Sequence, residues 1–303
     1  MKAVLLDPGN PIECQPLTST RSLFDCLVGN RPLGEWIIQH LDECGFDRVP
    51  AEQADDRTVW IAGDGWVCIR TLQRLRDSAG PAVVRDLTGR PIAWTGGSRE
   101  PVAGSRQVGD QGDDFSVRHP WDLLHLNEVL LDEIEEDCIE GEVETGAHWK
   151  GRLILGPGSR LLPGVYIEGT VAIGPDCKIG PNCYLRGRTS IAAGCRVGQA
   201  VEIKNSILFP GATVGHLSYC GDSILGAKVN FGAGTIVANL RHDGRNHRSA
   251  VDGQLVDTGR RKFGTIVGDG VHTGIHTTIY PGRKLWPQSS TRPGEIVDRD
   301  KQS

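Results

Sequence analysis

The sequence predicts a mainly β protein: a parallel β-helix of hexapeptide repeats preceded by a small α/β domain. Three observations carry that expectation. An aliphatic residue recurs at every sixth position through Leu155, Leu161, Ile167, Ile173, Ile179, Leu185, Ile191, Val197 and Ile203. A companion series stays in phase with it through Val165, Val171, Cys177, Cys183, Thr189, Cys195, Val201 and Ile207. Turn residues follow at fixed offsets, Gly156, Gly174, Gly180 and Gly198, then Pro157, Pro175 and Pro181. An α-helix repeats at about 3.6 residues and an ordinary strand at about 2, so a strict six fits neither. Short strands wound into stacked coils do fit, each coil covering its neighbour's core. Val143 and Trp149 extend the phase backwards, which puts the start of the first coil near Val143.

The front of the chain reads differently. MKAVLLD is a short apolar run ended by Pro8 and Gly9, the pattern of a strand entering a loop. PLGEWIIQHLDECGF places Leu33, Trp36, Ile37, Leu41 and Cys44 on one side of an amphipathic helix. From Asp132 to Glu144, eight of thirteen residues are acids, which predicts a helix end and a solvated linker into the β-helix.

Composition narrows the function. Forty Gly and 6% aromatics in 303 residues suit turn-dense β structure rather than a helical bundle. A net charge of −5 argues against a nucleic-acid partner. No run of eighteen apolar residues and no signal-peptide pattern are present, so no membrane partner and a cytoplasmic location are expected. The nine Cys form no CxxC pair and no His/Cys zinc spacing, which predicts neither a disulfide framework nor a zinc site. Cys177 and Cys195, eighteen apart, are expected to stack as small buried thiols.

The order MKAVLLDPGN, PLTSTR and RPLGEWIIQHLDECGF resembles the start of the sugar-phosphate nucleotidyltransferases. In that family a Gly-rich loop after the first strand wraps the nucleotide phosphates with backbone N–H groups. The family's loop reads roughly G-x-G-x-R, and the matching residues here are Gly9, Asn10, Pro11, Ile12 and Glu13. Pro11 has no N–H to donate, and Glu13 reverses the charge facing a triphosphate. The family's later Pro-Lys pair falls on Ser22 and Leu23. Asp64, in IAGD, either echoes the family's metal-binding Asp or is a turn residue. HPWDLLHLNEVLLDEI, His119 to Ile134, resembles the helix that closes the nucleotidyltransferase domain. Only 118 residues precede it, around half of what that domain needs. The resemblance therefore implies a contracted nucleotidyltransferase-like domain at 1–118 that has lost its activity. A helix and linker follow at 119–142, and a β-helix acyltransferase domain at 143–303.

VEIKNS, GHLSYCGD, VNFGAGTIVANL and RKFGTIVGD then follow in order. Over roughly residues 143 to 282 the chain resembles the acetyltransferase half of the bifunctional enzyme that acetylates glucosamine 1-phosphate and uridylylates the product. Hexapeptide-repeat proteins of this kind are left-handed β-helices with three hexads per triangular turn, so residues eighteen apart stack about 4.8 Å apart. The resemblance implies His216 as the catalytic base and Arg186 and Lys204 as phosphate-gripping cations. It implies Tyr219 and Asn230 as sugar contacts, Ala233 and Asn239 as acyl-group contacts, and Lys262 as a further loop cation. It further implies acetyl-CoA as cosubstrate, an amino-sugar phosphate such as glucosamine 1-phosphate as acceptor, no metal for acyl transfer, and a homotrimer with sites between chains.

Spacing supports the same residues. Arg186 and Lys204 are eighteen apart and should leave the same face of adjacent coils as an anion clamp, with no acid at the equivalent positions. His216 lies twelve residues after Lys204, where the six-residue phase slips, with Tyr219 and Asp222 close by in sequence. A distorted coil is a place where backbone positions functional groups. An amine can attack a thioester only when neutral, and a His titrating near neutrality can take its proton. Asn239 or a backbone N–H could then hold the oxyanion.

The chain departs from the bacterial pattern in having Leu240 where that enzyme has Tyr and Ile275 where it has an acyl-CoA Ser. Residues 241 to 263 form an insertion with Arg241, Arg245, Arg248, Arg260, Arg261 and Lys262 against three acids, a form that resembles archaeal-type relatives. This loop either grips phosphates or is a solvated excursion from the wall. Two other readings stay open: a nucleotidyltransferase with an altered loop, and a non-catalytic regulator derived from one.

Overall fold

Every residue of the two six-residue series lies in the interior of a parallel β-helix, none more than 2% exposed. Fully burying one such Val, Leu or Ile contributes about 1.5–3 kcal/mol. The computed structural model describes residues 1–109 and 112–302. The chain divides into two units, the first Met1–Pro11, Ser22–Cys26 and Arg31–Arg118, the second Ile12–Arg21, Leu27–Asn30 and His119–Ser303.

In the second unit the strands His148–Leu155, Tyr166–Ile173 and Tyr184–Ile191 stack in parallel at eighteen-residue spacing, with Tyr166 opposite Tyr184 and Ile173 opposite Ile191. The coil then shortens by one residue: Glu202 faces Tyr219 and Thr213 faces Asn230, each seventeen apart. Eighteen returns after the insertion, where Ile266 faces Lys284. Cys177 and Cys195 are buried free thiols in the coil interior. Trp149 differs from its expected inward position: it is 36% exposed and its Nε1 donates to Asp137 at 2.9 Å. It lies in the first long strand, whose lower edge is paired only through Ile154 and Leu155 to Cys138 and Ile139, so no coil covers it from below. Pairing thus begins at Cys138, five residues before Val143.

Three columns of left-handed residues mark the corners of the prism. The first runs through Gly164, Asn182, Ala200, Leu217, Gly234 and His276. The second runs through Gly151, Gly169, Gly187, Asn205 and Asp222, and the third through Gly158, Asp176, Gly194, Gly211, Lys228 and Gly270. Glycine is required early in the second column, because a Cβ on Gly151 would lie 2.0 Å from the Gly169 carbonyl oxygen.

The insertion leaves and returns at the second corner, where Phe263 N donates to Asn239 O at 3.0 Å and Gly264 N to Asp222 O at 2.8 Å. It is not a solvated excursion. Arg248–Val251 and Gln254–Asp257 form an antiparallel hairpin, and His247, Ser249 and Thr258 are buried.

Helix α1, Leu33–Glu43, belongs to the first unit, and helix α3, Pro120–Asp132, to the second. α3 starts at a capping box between His119 and Asp122 with Pro120 just inside, and buries Trp121, Leu123, Leu124, Leu126, Leu130 and Leu131. Asn127 ties it to the β-helix by accepting from Ser190 Oγ at 2.6 Å and donating to Arg188 O at 3.1 Å.

The first unit is a mixed six-stranded sheet with α1 and α2, Ile69–Arg76. Its parallel part joins Lys2–Leu5 to Asp47–Arg48 and Val59–Ile61, and its antiparallel part joins Val59–Ile61 to Pro91–Thr95 and that strand to Ala82–Arg85. Trp60 and Trp94 stack in its core at 6.4 Å. The division between the units falls between Arg118 and His119, with Ile12–Arg21 and Leu27–Asn30 lying with the β-helix. Thr20 Oγ1 and the Arg21 guanidinium both engage Asp269, Arg21 lies 4.7 Å above the Phe209 ring, and Asn30 donates to Ala172 O at 2.9 Å. Part of the segment matching the nucleotide loop is therefore a strap on the β-helix wall.

Candidate functional site

The second corner gathers charge. Arg186 and Lys204 face each other in register, as their spacing requires. They are not bare cations. Glu168 stands in register on the other side of Arg186, and Arg186 is paired with Glu202 at 2.7 Å. Lys204 Nζ donates to both oxygens of Asp222, at 2.7 and 3.0 Å. The expectation of no acid at the equivalent positions fails, since Glu168 lies eighteen residues before Arg186 and Asp222 eighteen after Lys204; the shortened coil changes only how Asp222 reaches the ammonium. With seventeen residues, Gly221 faces Lys204, and Asp222 moves to the corner, where φ of 53° returns its carboxylate to the ammonium. Asn and Asp tolerate this left-handed geometry better than other side chains do.

Asp222 is 2% exposed and fully engaged. Asn239 Nδ2 donates to its Oδ2 at 2.6 Å and to the Tyr219 hydroxyl at 2.9 Å, and Asn205 Nδ2 donates to its Oδ1 at 3.2 Å. Both amide hydrogens of Asn239 are thereby used, so it is not a free oxyanion donor. Asp222 bonds to Lys204 and not to His216, contrary to what their closeness in sequence suggests. Burial and the charge of Asp222 push the Tyr219 hydroxyl up to about 12.

The network continues beyond the expected residues. Asn205 Nδ2 also donates to Glu128 Oε1 at 2.7 Å, and Arg260 of the insertion is ion-paired with the same carboxylate. Burial raises the Glu128 carboxyl, but hydrogen bonds from His125 and Arg260 reverse this and hold it at about 2. A groove of about 470 Å³ lies here, lined in part by Glu128, Arg188, Lys204, Asn205, Asp222 and Arg260.

The first corner is different. His216, Ala233 and Ile275 occupy successive rungs of one column, with Gly234 N donating to His216 O at 3.0 Å and His276 N to Ala233 O at 2.8 Å. The His216 side chain is exposed and makes no hydrogen bond or ion pair among the described residues. It is followed by Leu217, 65% exposed with φ of 49°, a conformation that costs a non-glycine residue about 1–2 kcal/mol. Asn230 is exposed on the adjoining sheet, opposite Thr213 and bridged to His272. Lys262 is exposed, and its backbone bridges Leu240 across the base of the insertion.

The structure thus brings Arg186, Lys204, Tyr219 and Asn239 together at one corner and His216 and Ala233 at another, with Asn230 on the sheet beside it. The strand Tyr219–Gly221 crosses the face between them, a width of roughly 16 Å from Leu217 to Asp222 at about 3.3 Å per residue. Sequence reading missed Glu128, Asn205, Arg260 as a fixed ion-pair partner, and His276. The His276 ring lies over Gly234, where a Cβ would meet its Nδ1 at 2.7 Å. Only Asn205 and Asp222 carried a signal, as polar residues seventeen apart at positions where earlier coils have glycine. In the first unit Asp64 is held by Arg90, Oδ1 to Nη2 at 3.0 Å, a turn carboxylate already neutralised.

Residues 161–288 match the family described as the GMPPB C-terminal domain. The chain is 40% identical over 190 residues to the bifunctional sugar-1-phosphate nucleotidylyltransferase/acetyltransferase of Sulfurisphaera tokodaii, a match to 63% of this chain and 47% of that protein. It is 37% identical over 204 residues to the bifunctional protein GlmU of Methanocaldococcus jannaschii, 67% of this chain and 49% of that protein. The chain spans about half the length of the curated relatives it matches. Among solved structures, PerB from Caulobacter crescentus in complex with CoA and GDP-perosamine is 12% identical, covering 96% of this chain and 91% of that one at a TM-score of 0.22. The chain is thus similar, over about half of their length, to the bifunctional sugar-1-phosphate nucleotidylyltransferase/acetyltransferases, and its second unit has the hexapeptide-repeat acyltransferase fold.

Proposed function

We propose that the protein is a cytoplasmic, homotrimeric N-acetyltransferase that uses acetyl-CoA to acetylate an amino-sugar phosphate, with glucosamine 1-phosphate as the acceptor. The observation that carries this reading is the charged second corner, Arg186 and Lys204 with Tyr219 and Asn239, joined by the strand Tyr219–Gly221 to the corner where His216 carries an imidazole unpartnered among the described residues. Lys204 directs two of its three N–H donors at Asp222, which leaves one for an acceptor phosphate. Arg186 uses Nε and Nη2 on Glu202 and keeps its Nη1 donors. His216 takes the proton as the neutral amine attacks the thioester carbonyl, and CoA leaves as the thiol. Because Asn239 is already committed, the oxyanion donor is a backbone N–H or a group from a neighbouring chain. The roughly 16 Å between the corners favours a site completed by an adjacent prism, in which His216 of one chain works beside cations of another.

Nucleotidyl transfer is absent in this reading. Pro11 and Glu13 replace the phosphate-binding residues, and Thr20 and Arg21 are engaged with Asp269. Purified protein with acetyl-CoA and a panel of amino-sugar phosphates should release free thiol only with its acceptor, and light scattering should give a trimer mass. Pyrophosphate release from UTP or dTTP with magnesium, in place of thiol release, would favour the nucleotidyltransferase alternative; neither product would favour a regulator.

A further inference from the structure

We infer that Arg260, held in place by Glu128, is a further anion contact of the acceptor site; the inference rests on the acetyltransferase reading given above. Glu128 comes from α3, Asn205 from the second corner and Arg260 from the insertion, three segments far apart in sequence. Asn205 gives one amide hydrogen to each of two carboxylates, Glu128 and Asp222, so the insertion is coupled to the acid that holds Lys204. The β-helix does not need this arrangement, since Gly151, Gly169 and Gly187 close the same corner without a side chain.

The donors left over define the ligand. Arg260 directs Nη1 and Nη2 at Glu128, while its Nε is buried without a hydrogen-bond partner among the described residues. A buried donor without an acceptor is costly, and such a group points to a missing acceptor. Arg260 lines the same groove as Lys204, which also has one N–H left. The remaining N–H of Lys204 and the unsatisfied Nε–H of Arg260, on two cations each neutralised by a carboxylate, suit one small phosphate and not a polyanion. Glu128 is accordingly a positioning residue, and Arg260 the contact.

The test compares Glu128→Gln, Arg260→Gln and the double variant in steady-state acetylation. Each single variant should raise KM for the phosphorylated acceptor about 10-fold, the worth of one charge-assisted hydrogen bond, with kcat within about 2-fold. KM for the unphosphorylated amino sugar should stay unchanged, and the double variant should be no worse than either single one. Equal KM rises for both acceptors, additive losses, or no change would overturn the inference. Arg260→Lys keeps the charge but lacks Nε. It should show the same KM rise and covers the case in which Glu128→Gln does not fold; wild-type KM in Arg260→Lys would also overturn the inference. If the wild type acetylates no amino-sugar phosphate, the functional reading fails, and calorimetry with inorganic phosphate decides this one. About 10-fold weaker phosphate binding in Arg260→Lys sustains it, whereas equal binding, or none by the wild type, overturns it.

Discussion

At the second corner of the β-helix, Lys204, Asn205 and Asn239 all aim donors at the buried Asp222 carboxylate, and the insertion is tied to the same network through Glu128. At the first corner, His216 is exposed and unpartnered among the described residues, beside a left-handed Leu217. Both corners belong to the same stack of coils, so the contrast is not one of fold. A cation that binds a remote phosphate gains from being fixed before the substrate arrives, because its orientation then costs nothing on binding. A general base must exchange protons with the reacting amine and gains from an uncommitted ring.

The largest effect that would break this contrast is at Asp222. Asp222→Ala leaves Lys204 nearly buried without its acid and should cost about 3–5 kcal/mol of stability in urea unfolding; a neutral result would mean that the second corner is not pre-organised. His216→Ala should do the opposite, lowering kcat by about 10² or more with the unfolding midpoint unchanged. Equal losses of stability in the two variants would erase the distinction.

A pH titration sharpens the second-corner half. The folded Glu128 carboxyl titrates at about 2, below its ordinary 4.5. The stability it gives is therefore present above 4.5 and lost as pH falls through about 2. Comparing acid unfolding of the wild type and Glu128→Gln should show about 2 kcal/mol of extra pH-dependent loss in the wild type, allowing for partial solvent screening. Parallel curves would remove Glu128 from the network.

Gly234→Ala probes the first corner, since φ there is 73° and the new methyl would press on the His276 ring. A loss of about 1–2 kcal/mol is expected, and a stabilised variant would show that the His276 ring is not fixed over the turn. Arg188→Ala is the control. Its pair with Asp132 is about half exposed on both sides, so a change of about 0–1 kcal/mol is expected. A larger loss would extend the pre-organised network beyond the corner.

The β-helix was legible because its signal is local and repeated: each hexad buries the same two positions, and the burial of Leu155 to Ile203 follows from that alone. Trp149 obeyed the pattern in sequence and broke it in space, because covering a position needs a strand beneath it. The pairing of Arg186 with Lys204 was legible for the same periodic reason. The neutralisation of Arg186 was not, since Glu202 lies sixteen residues after it and reaches it only through side-chain geometry.

The sequence by itself determined the hexad core, the corner turns and the face on which Arg186 and Lys204 stand, since those depend on spacing within one or two coils. Tertiary structure alone decided which acids hold those cations, where the insertion docks, and that Thr20 and Arg21 lie on the β-helix wall. The physical reason is that one residue fewer per coil turns Asp222 from a position stacked on Lys204 into a corner residue facing it. A shift of that size leaves the hydrophobic pattern nearly unchanged while it re-aims a charge.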